Sequence, residues 1–223
     1  MPPVVTQVSS ATREVVVGRQ PIVDATGQLV GYELLYRSTS TPPAALTGAQ
    51  MTAEVLLGAL TIGVDQLVGD KLLFCNADRA VLLGDTPVAL SPGRTVIEVL
   101  ETVVLDEEVL AGCRELVESG FQLALDDFVW VDGVERLLDL AWVVKIDVLA
   151  QSPEEVVELV RRCRAHDVLL LAEKVETAEQ LAWAREVGFD LFQGYVIERP
   201  AHVRGRALPA STTAHLRLAV HVL

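Results

Sequence analysis

Apolar residues fall in two alternating rhythms along this chain. Short runs of apolar or β-branched residues, the pattern of buried strands, alternate with stretches whose apolar positions recur at helical spacing. The strand-like runs are Val15–Val17, leading into the loop Gly18-Arg-Gln-Pro-Ile22, then Leu29–Arg37, Lys71–Asn76 and Arg94–Glu101. They continue with Leu123–Leu125, Trp142–Asp147, Val168–Glu173 and Phe189–Tyr195. Between them the spacing predicts a helix over Met51–Val68, a short helical stretch after Asn76, and an amphipathic helix over Asp106–Ser119 closed by Gly120. A weak helix follows over Val134–Leu140. Ser152-Pro-Glu-Glu155 is a capping box with proline at the first helical position, and Thr177 opens a further helix that Gly188 closes. Asp24–Gln28 reads as a turn and the Ser-, Thr- and Pro-rich Ser38–Gly48 as a loop.

Repeated strand-then-helix order predicts an α/β fold with a parallel sheet. Eight strands in 223 residues favour a closed (β/α)8 barrel of the TIM type over an open doubly wound sheet. The open sheet is further weakened by the lack of a glycine-rich phosphate turn after any strand. The expected division is an N-terminal extension over 1–13, a barrel domain over 14–200 and a tail or linker over 201–223. In the tail, Arg204, Arg206, Pro209, Leu216, Leu218 and Val220 suggest a helix whose apolar side needs a partner surface. Self-association as a homodimer is the expectation there.

Composition narrows the function. A formal net charge of −13 argues against a surface that tracks nucleic-acid phosphates, which needs clustered Lys and Arg. Cys75, Cys113 and Cys163 are odd in number and each lies inside an apolar pattern. They read as buried thiols in a reducing cytoplasm rather than as disulfides or a zinc site. No apolar run approaches the ~18 residues of a membrane span, and residues 1–12 lack the basic start and apolar core of a signal peptide.

The chemistry gathers at strand ends. Leu123–Leu125 stops on the adjacent carboxylates Asp126 and Asp127, which are costly to bury unless something positive joins them. The same punctuation recurs at Glu33, Asn76, Glu98, Lys145 with Asp147, Glu173 and Gln193. In a barrel the carboxyl ends of all strands converge on one face, where active sites are built. Carboxylates with one amide oxygen, and no His or Cys, suit hard cations such as Mg2+ or Mn2+. The histidines fall in predicted helices or in the tail. Taken singly, each acid has a bland account: Asp126 as a helix cap, Glu98 or Glu101 facing solvent, Lys145 simply paired with Asp147.

The segments GRQPIVD (18–24), YELLYR (32–37), FCNAD (74–78), VIEVLE (96–101), LALDDF (123–128), VVKID (143–147), LAEKVET (171–177) and FQGYVIERP (192–200) together resemble an EAL domain, the cyclic di-GMP phosphodiesterase fold. The resemblance covers roughly residues 15 to 200. It implies a barrel whose first strand runs antiparallel to the others. It also implies that Glu33, Asn76, Glu98 and Asp126 ligate a catalytic Mg2+ or Mn2+, with Asp127 on a second cation. Lys145 and Asp147 match the pair around the attacking water, Glu173 the general base, and Glu176 and Gln193 further polar groups of the site. Gln20 and Arg37 match contacts to the dinucleotide, and Glu101 the acid that tethers the loop after Asp127.

The sequence departs from that pattern at three places. The small, glycine-rich loop of hydrolysing members, of the form FGTGYSS, is here Phe128-Val-Trp-Val-Asp-Gly133, with stiff β-branched residues and a bulky Trp130. The signature itself reads Glu33-Leu34-Leu35, and a glycine is replaced by Lys174, which sets a cation beside Glu173. GRQPI, YELLYR and DDFVW most resemble the subgroup in which an altered EAL domain precedes an HDOD domain, so an HDOD-type partner reached through the tail is implied. Two readings compete: a regulatory, ligand-binding module that hydrolyses poorly, and a working metal-dependent cyclic di-GMP phosphodiesterase that yields the linear dinucleotide.

Overall fold

The computed structural model of the chain describes residues 14–37, 46–86 and 88–206. The extension over 1–13, and Pro209, Leu216, Leu218 and Val220 of the tail, lie outside them. Strand β1 (Glu14–Asp24) turns through 25–28 into β2 (Leu29–Leu35), and helices α1 (Gly48–Ile62) and α2 (Val64–Val68) follow. Then come β3 (Leu72–Ala77), α3 (Arg79–Leu82), β4 (Thr95–Val99), α4 (Glu107–Glu118), β5 (Gln122–Leu125) and α5 (Glu135–Leu138). The chain continues with β6 (Val143–Asp147), α6 (Pro153–Cys163), β7 (Leu169–Glu173), α7 (Ala178–Val187), β8 (Leu191–Phe192) and β9 (Ala201–Arg206).

Strands β2 to β8 pair in sequence order and in parallel, and β1 closes the barrel between β8 and β2, antiparallel to both. The (β/α)8 expectation and the reversed first strand therefore hold.

Four local expectations change. Gly18–Ile22 is strand rather than loop, because its backbone is laddered to β2 from Gly18↔Leu35 to Ile22↔Gly31. Pro21, which has no N–H to give, falls between the stretch of β1 paired with β9, ending at Arg19, and the stretch paired with β8, beginning at Val23. The predicted helix over Met51–Val68 is two helices, broken at Gly63, whose φ of 98° leaves the helical region. The tail begins as strand: β9 runs antiparallel to Glu14–Arg19, so His202 and Arg204 lie in a sheet and not in a helix. The last barrel strand shrinks to Leu191–Phe192.

The capping boxes at Ser152 and Thr177 form as read, and Thr47 with Gln50 makes a third that was not anticipated. All three cysteines are free and buried. Among the described residues no helix is long and apolar enough to cross a membrane.

The interior is layered. Ile22, Phe74, Val96, Ala124, Val143, Leu171 and Leu191 form an apolar plug inside the barrel, contributed by seven different strands. A larger core of Leu73, Ile97, Leu123, Val144, Leu170 and their neighbours faces the helices. Side chains alternate across a strand. The residue two places beyond each plug residue therefore points inward again, one layer nearer the mouth.

Candidate functional site

That second inward layer is polar on nearly every strand. Phe74 is followed two residues on by Asn76, Val96 by Glu98, Ala124 by Asp126, Val143 by Lys145, Leu171 by Glu173 and Leu191 by Gln193. On the reversed β1 the order inverts: Gln20 precedes Ile22 and faces Glu33 across the β1–β2 ladder. The strand-end residues singled out in the sequence thus share one floor at the barrel mouth. Above them opens a cavity of about 380 Å³, lined by Gln20, Arg37, Asp127, Glu173, Glu176 and Gln193 among others. This volume is within the range of small-molecule sites.

Lys145 stands at the centre of the floor and is fully buried. Its Nζ lies 2.6 Å from Glu98 Oε1, 2.6 Å from Asp126 Oδ1, 3.0 Å from Glu173 Oε1 and 3.7 Å from Glu33 Oε2. The simple Lys145–Asp147 pair is therefore not what forms. Asp147 sits one layer higher, accepts from the backbone N–H of Leu149 (2.7 Å) and Ala150 (3.1 Å), and is bonded to Lys174. A lysine two residues below is surrounded instead by acids from the neighbouring strands.

One ammonium cannot neutralise four carboxylates, three of them buried and Asp126 partly so. Burial, with the charges of Glu33 and Asp126 adding to it, raises Glu98 well above the usual carboxylate range against the pull of Lys145. Burial likewise lifts Glu173 to about 8, with Lys145 opposing and Asp126 and Glu33 reinforcing. For Lys145 burial acts to lower the pKa, but the surrounding acids outweigh it and hold the ammonium charged.

The folded chain therefore keeps protons that the unfolded chain releases. Stability from this source is complete below the ordinary glutamate value of 4.5 and is lost as pH rises through about 8. In chelator, the melting temperature should fall between about pH 5 and about pH 8.5. A flat or rising profile would show that these acids titrate normally.

Several buried oxygens of the floor have no hydrogen-bond partner: Asn76 Oδ1, both Glu98 oxygens, Glu173 Oε2 and Gln193 Oε1. The Glu98–Lys145 contact is thus an ion pair out of line for a hydrogen bond. Among the described residues no three acids, histidines or cysteines close on one point as a finished metal cage. The donor set nevertheless fits a hard cation. Glu33, Glu98 and Asp126 stand within 3.7 Å of the Lys145 ammonium, already gathered about a positive charge, and Asn76, paired in register with Glu98, carries an unused amide oxygen.

Around the rim, Gln193 Nε2 donates to Glu33 Oε2 (2.7 Å) and to Gln20 Oε1 (3.4 Å), and Gln20 donates to the Glu198 carbonyl (3.2 Å). Gly194 lets the chain press against the next turn; a Cβ there would meet Val175 O at 2.1 Å. Arg37 Nε donates to His202 Nε2 (3.2 Å), so β9 holds the arginine at the cavity edge. Sequence reading missed His202, since only the β1–β9 pairing brings it there. Glu176 is exposed on the cavity wall. Glu101 is exposed in a recess beside Phe128 and Val129, and among the described residues no hydrogen bond or ion pair ties it to the 128–133 segment.

Trp130 holds that segment. Arg162 lies 3.5 Å from the centre of its ring, and Phe128 meets it edge-on at 6.0 Å. Phe128 is buried, and its N–H donates to the Lys145 carbonyl (2.9 Å). Lys174, the residue after β7, bonds Asp127 (3.3 Å) as well as Asp147. Its partial burial works against the charge, but both carboxylates outweigh this and raise its pKa.

A barrel whose mouth carries this layer agrees with what comparison of the sequence finds. The profile of the EAL domain matches residues 44–200, more than half of the chain. The chain belongs to the EAL domain family. The match begins after Glu33, so it is narrower than the motifs from residue 15 onward suggest.

The uncharacterized protein YuxH of Bacillus subtilis is 34% identical over 201 residues, covering 87% of this chain and 49% of YuxH. That alignment covers more of the chain than the residues from 44 onward supply. The cyclic di-GMP phosphodiesterase CdgJ of Vibrio cholerae is 33% identical over 195 residues, covering 85% of this chain and 45% of CdgJ. The chain spans about half the length of these curated relatives. Among solved structures, the EAL-domain protein YkuI of Bacillus subtilis, in complex with its substrate c-di-GMP and calcium, is similar with a TM-score of 0.69. Its identity is 22%, with 92% of this chain and 62% of that chain covered, so this likeness speaks for the fold.

Proposed function

We propose that this EAL domain is a cyclic di-GMP-binding regulatory module that hydrolyses its ligand slowly. The observation that carries the reading is the pinned segment after Asp127. The acid floor and the rim groups Gln20 and Arg37 face the cavity, yet the stretch that would move Asp127 is stiffened by Val129 and Val131 and anchored by Trp130 under Arg162. Support for the ligand comes from family membership and from the 33% identity to CdgJ, a cyclic di-GMP phosphodiesterase.

Glu33, Asn76, Glu98 and Asp126 would hold a divalent cation, Mg2+ or Mn2+, and Asp127 is the acid that a second cation would have to share with Lys174. The cation would supply Lewis acidity toward the phosphodiester and toward the attacking water. It would also offset the −13 charge of the chain for an anionic ligand. Arg37 and Gln20 would orient the dinucleotide. Lys145 would balance the acids beneath the phosphate. Neutralising Asp126 and Glu33 would remove part of what raises Glu173, freeing its carboxylate to accept a proton from water. Asp147, Glu176 and Gln193 would position groups around it.

The second reading, a working phosphodiesterase giving the linear dinucleotide, is favoured by the full acid set and by CdgJ at 33% identity. We extend the proposal to an HDOD-type partner domain, to a homodimer and to a cytoplasmic setting, supported by motif resemblance, by the length of the relatives and by the three free thiols.

Titration with cyclic di-GMP should give binding in Mn2+ and none in chelator, and Mn2+ alone should raise the melting temperature. Glu33→Gln or Asp126→Asn should abolish that rise. A cation-dependent rise that survives both substitutions would remove the proposed site.

A further inference from the structure

We propose that Lys174 is a built-in counter-cation seated between Asp127 and Asp147, so that the chain takes one divalent cation fewer than its acid set would hold. The inference rests on the reading of the mouth as a cation and cyclic di-GMP site, and concerns which positive charges fill it.

Two separate cationic seats are present. Lys145 takes Glu33, Glu98, Asp126 and Glu173; Lys174 takes Asp127 and Asp147, and the two share no carboxylate. The seats adjoin because Asp126 and Asp127, like Glu173 and Lys174, are chain neighbours. In the outer seat Asp147 has little acceptor capacity left for a metal. Asp147 Oδ1 accepts two backbone N–H groups and Oδ2 accepts from Lys174, while Asp127 Oδ1 lies 3.3 Å from the same ammonium. Asp147 is buried, so its charge is held inside the protein and needs a partner.

Backbone conformation gives an independent reason to regard this pair as built rather than incidental. Among the described residues only Asp127 (φ 40°) and Lys174 (φ 57°) are non-glycine residues with positive φ, and they are bonded to each other. Glycine would sit at either position without strain. Side chains kept at such positions mark places where surrounding structure sustains strain for a purpose.

Lys174 also lines the cavity and is half-exposed, so its ammonium can meet an anionic ligand directly. It is a point charge with three donors. It can neutralise a phosphate but offers no vacant orbital to polarise the phosphodiester. A seat filled this way favours holding the ligand over cleaving it.

The test counts bound Mn2+ per chain after equilibrium dialysis, by metal analysis, for the native chain, K174G and K174Q, each with and without cyclic di-GMP. K174G relieves the left-handed backbone, whereas K174Q leaves it and removes only the charge. Both variants should hold one Mn2+ more per chain than the native protein. Equal counts in all three would overturn the proposal. A gain in K174G alone would assign the effect to backbone rather than charge, and would overturn it too. Cyclic di-GMP binding, read on the same samples, addresses the underlying functional reading separately, because the cation count does not depend on it.

Discussion

In chelator, Lys145→Met will destabilise the folded chain by about 3–5 kcal/mol, the loss expected when one partner of a buried ionic cluster is removed. Methionine fits the volume, so the loss is electrostatic. It leaves Glu98, wholly buried, beside Glu33, Asp126 and Glu173 with no cation among them. Part of the strain is relieved by proton uptake, because Glu98 and Glu173 already favour the neutral form. The deficit should therefore be larger at about pH 8.5 than at about pH 5, as the acids are forced to ionise. Mn2+ should restore much of it, since a cation among the same oxygens replaces the missing charge. Urea unfolding measures the effect. Lys71→Met, in an exposed pair 3.9 Å from Asp70, should change stability by no more than about 0.5 kcal/mol. A Lys145→Met loss no larger than this control would show that the central lysine is not what holds the acids together.

Replacing Val129-Trp-Val-Asp132 by Gly-Thr-Gly-Tyr should raise cyclic di-GMP hydrolysis at least about tenfold, because misplacing a catalytic group by one ångström can lower rate about 10²-fold. The segment leaves Asp127 through buried Phe128 and is fixed by Trp130 against Arg162. Glycines restore backbone freedom that Val129 and Val131 withhold. Affinity should barely change, because Gln20, Arg37 and the acid floor lie outside the replaced residues. Stability should fall, since the contact between Trp130 and Arg162 is lost. Product chromatography gives the rate and calorimetry the affinity. A graft that folds, binds and turns over no faster than the native chain would show that this loop does not limit hydrolysis.

Much of the floor was legible because period-two alternation carries it. Each of Asn76, Glu98, Asp126, Lys145, Glu173 and Gln193 follows an apolar plug residue by two places. A short apolar run ending on a polar group thus announces an inward side chain at the mouth. Long-range contacts left no such trace. Lys145 looked like a partner for Asp147 because they are close in sequence, but its neighbours are acids on other strands. Lys174 stood out as a cation near Glu173; that it reaches Asp127, 47 positions away, depends on how two loops fold over the mouth. Gly18 and Pro21 suggested a loop, yet β1 tolerates both because each is placed where its ladder makes no demand that it cannot meet. Residues Ala201–Arg206 carried too few apolar residues to read as strand. Their pairing with the extended start of β1 supplies the order.

The most direct measurement is chromatography of the nucleotide recovered with the native chain after incubation with equimolar cyclic di-GMP and Mn2+. Retention and slow hydrolysis predict that protein-bound nucleotide is chiefly the intact cyclic form, with the linear dinucleotide accumulating at least about tenfold more slowly than with the glycine-rich loop in place. Complete and rapid conversion to the linear product would contradict the account, and so would recovery of protein that carries no nucleotide.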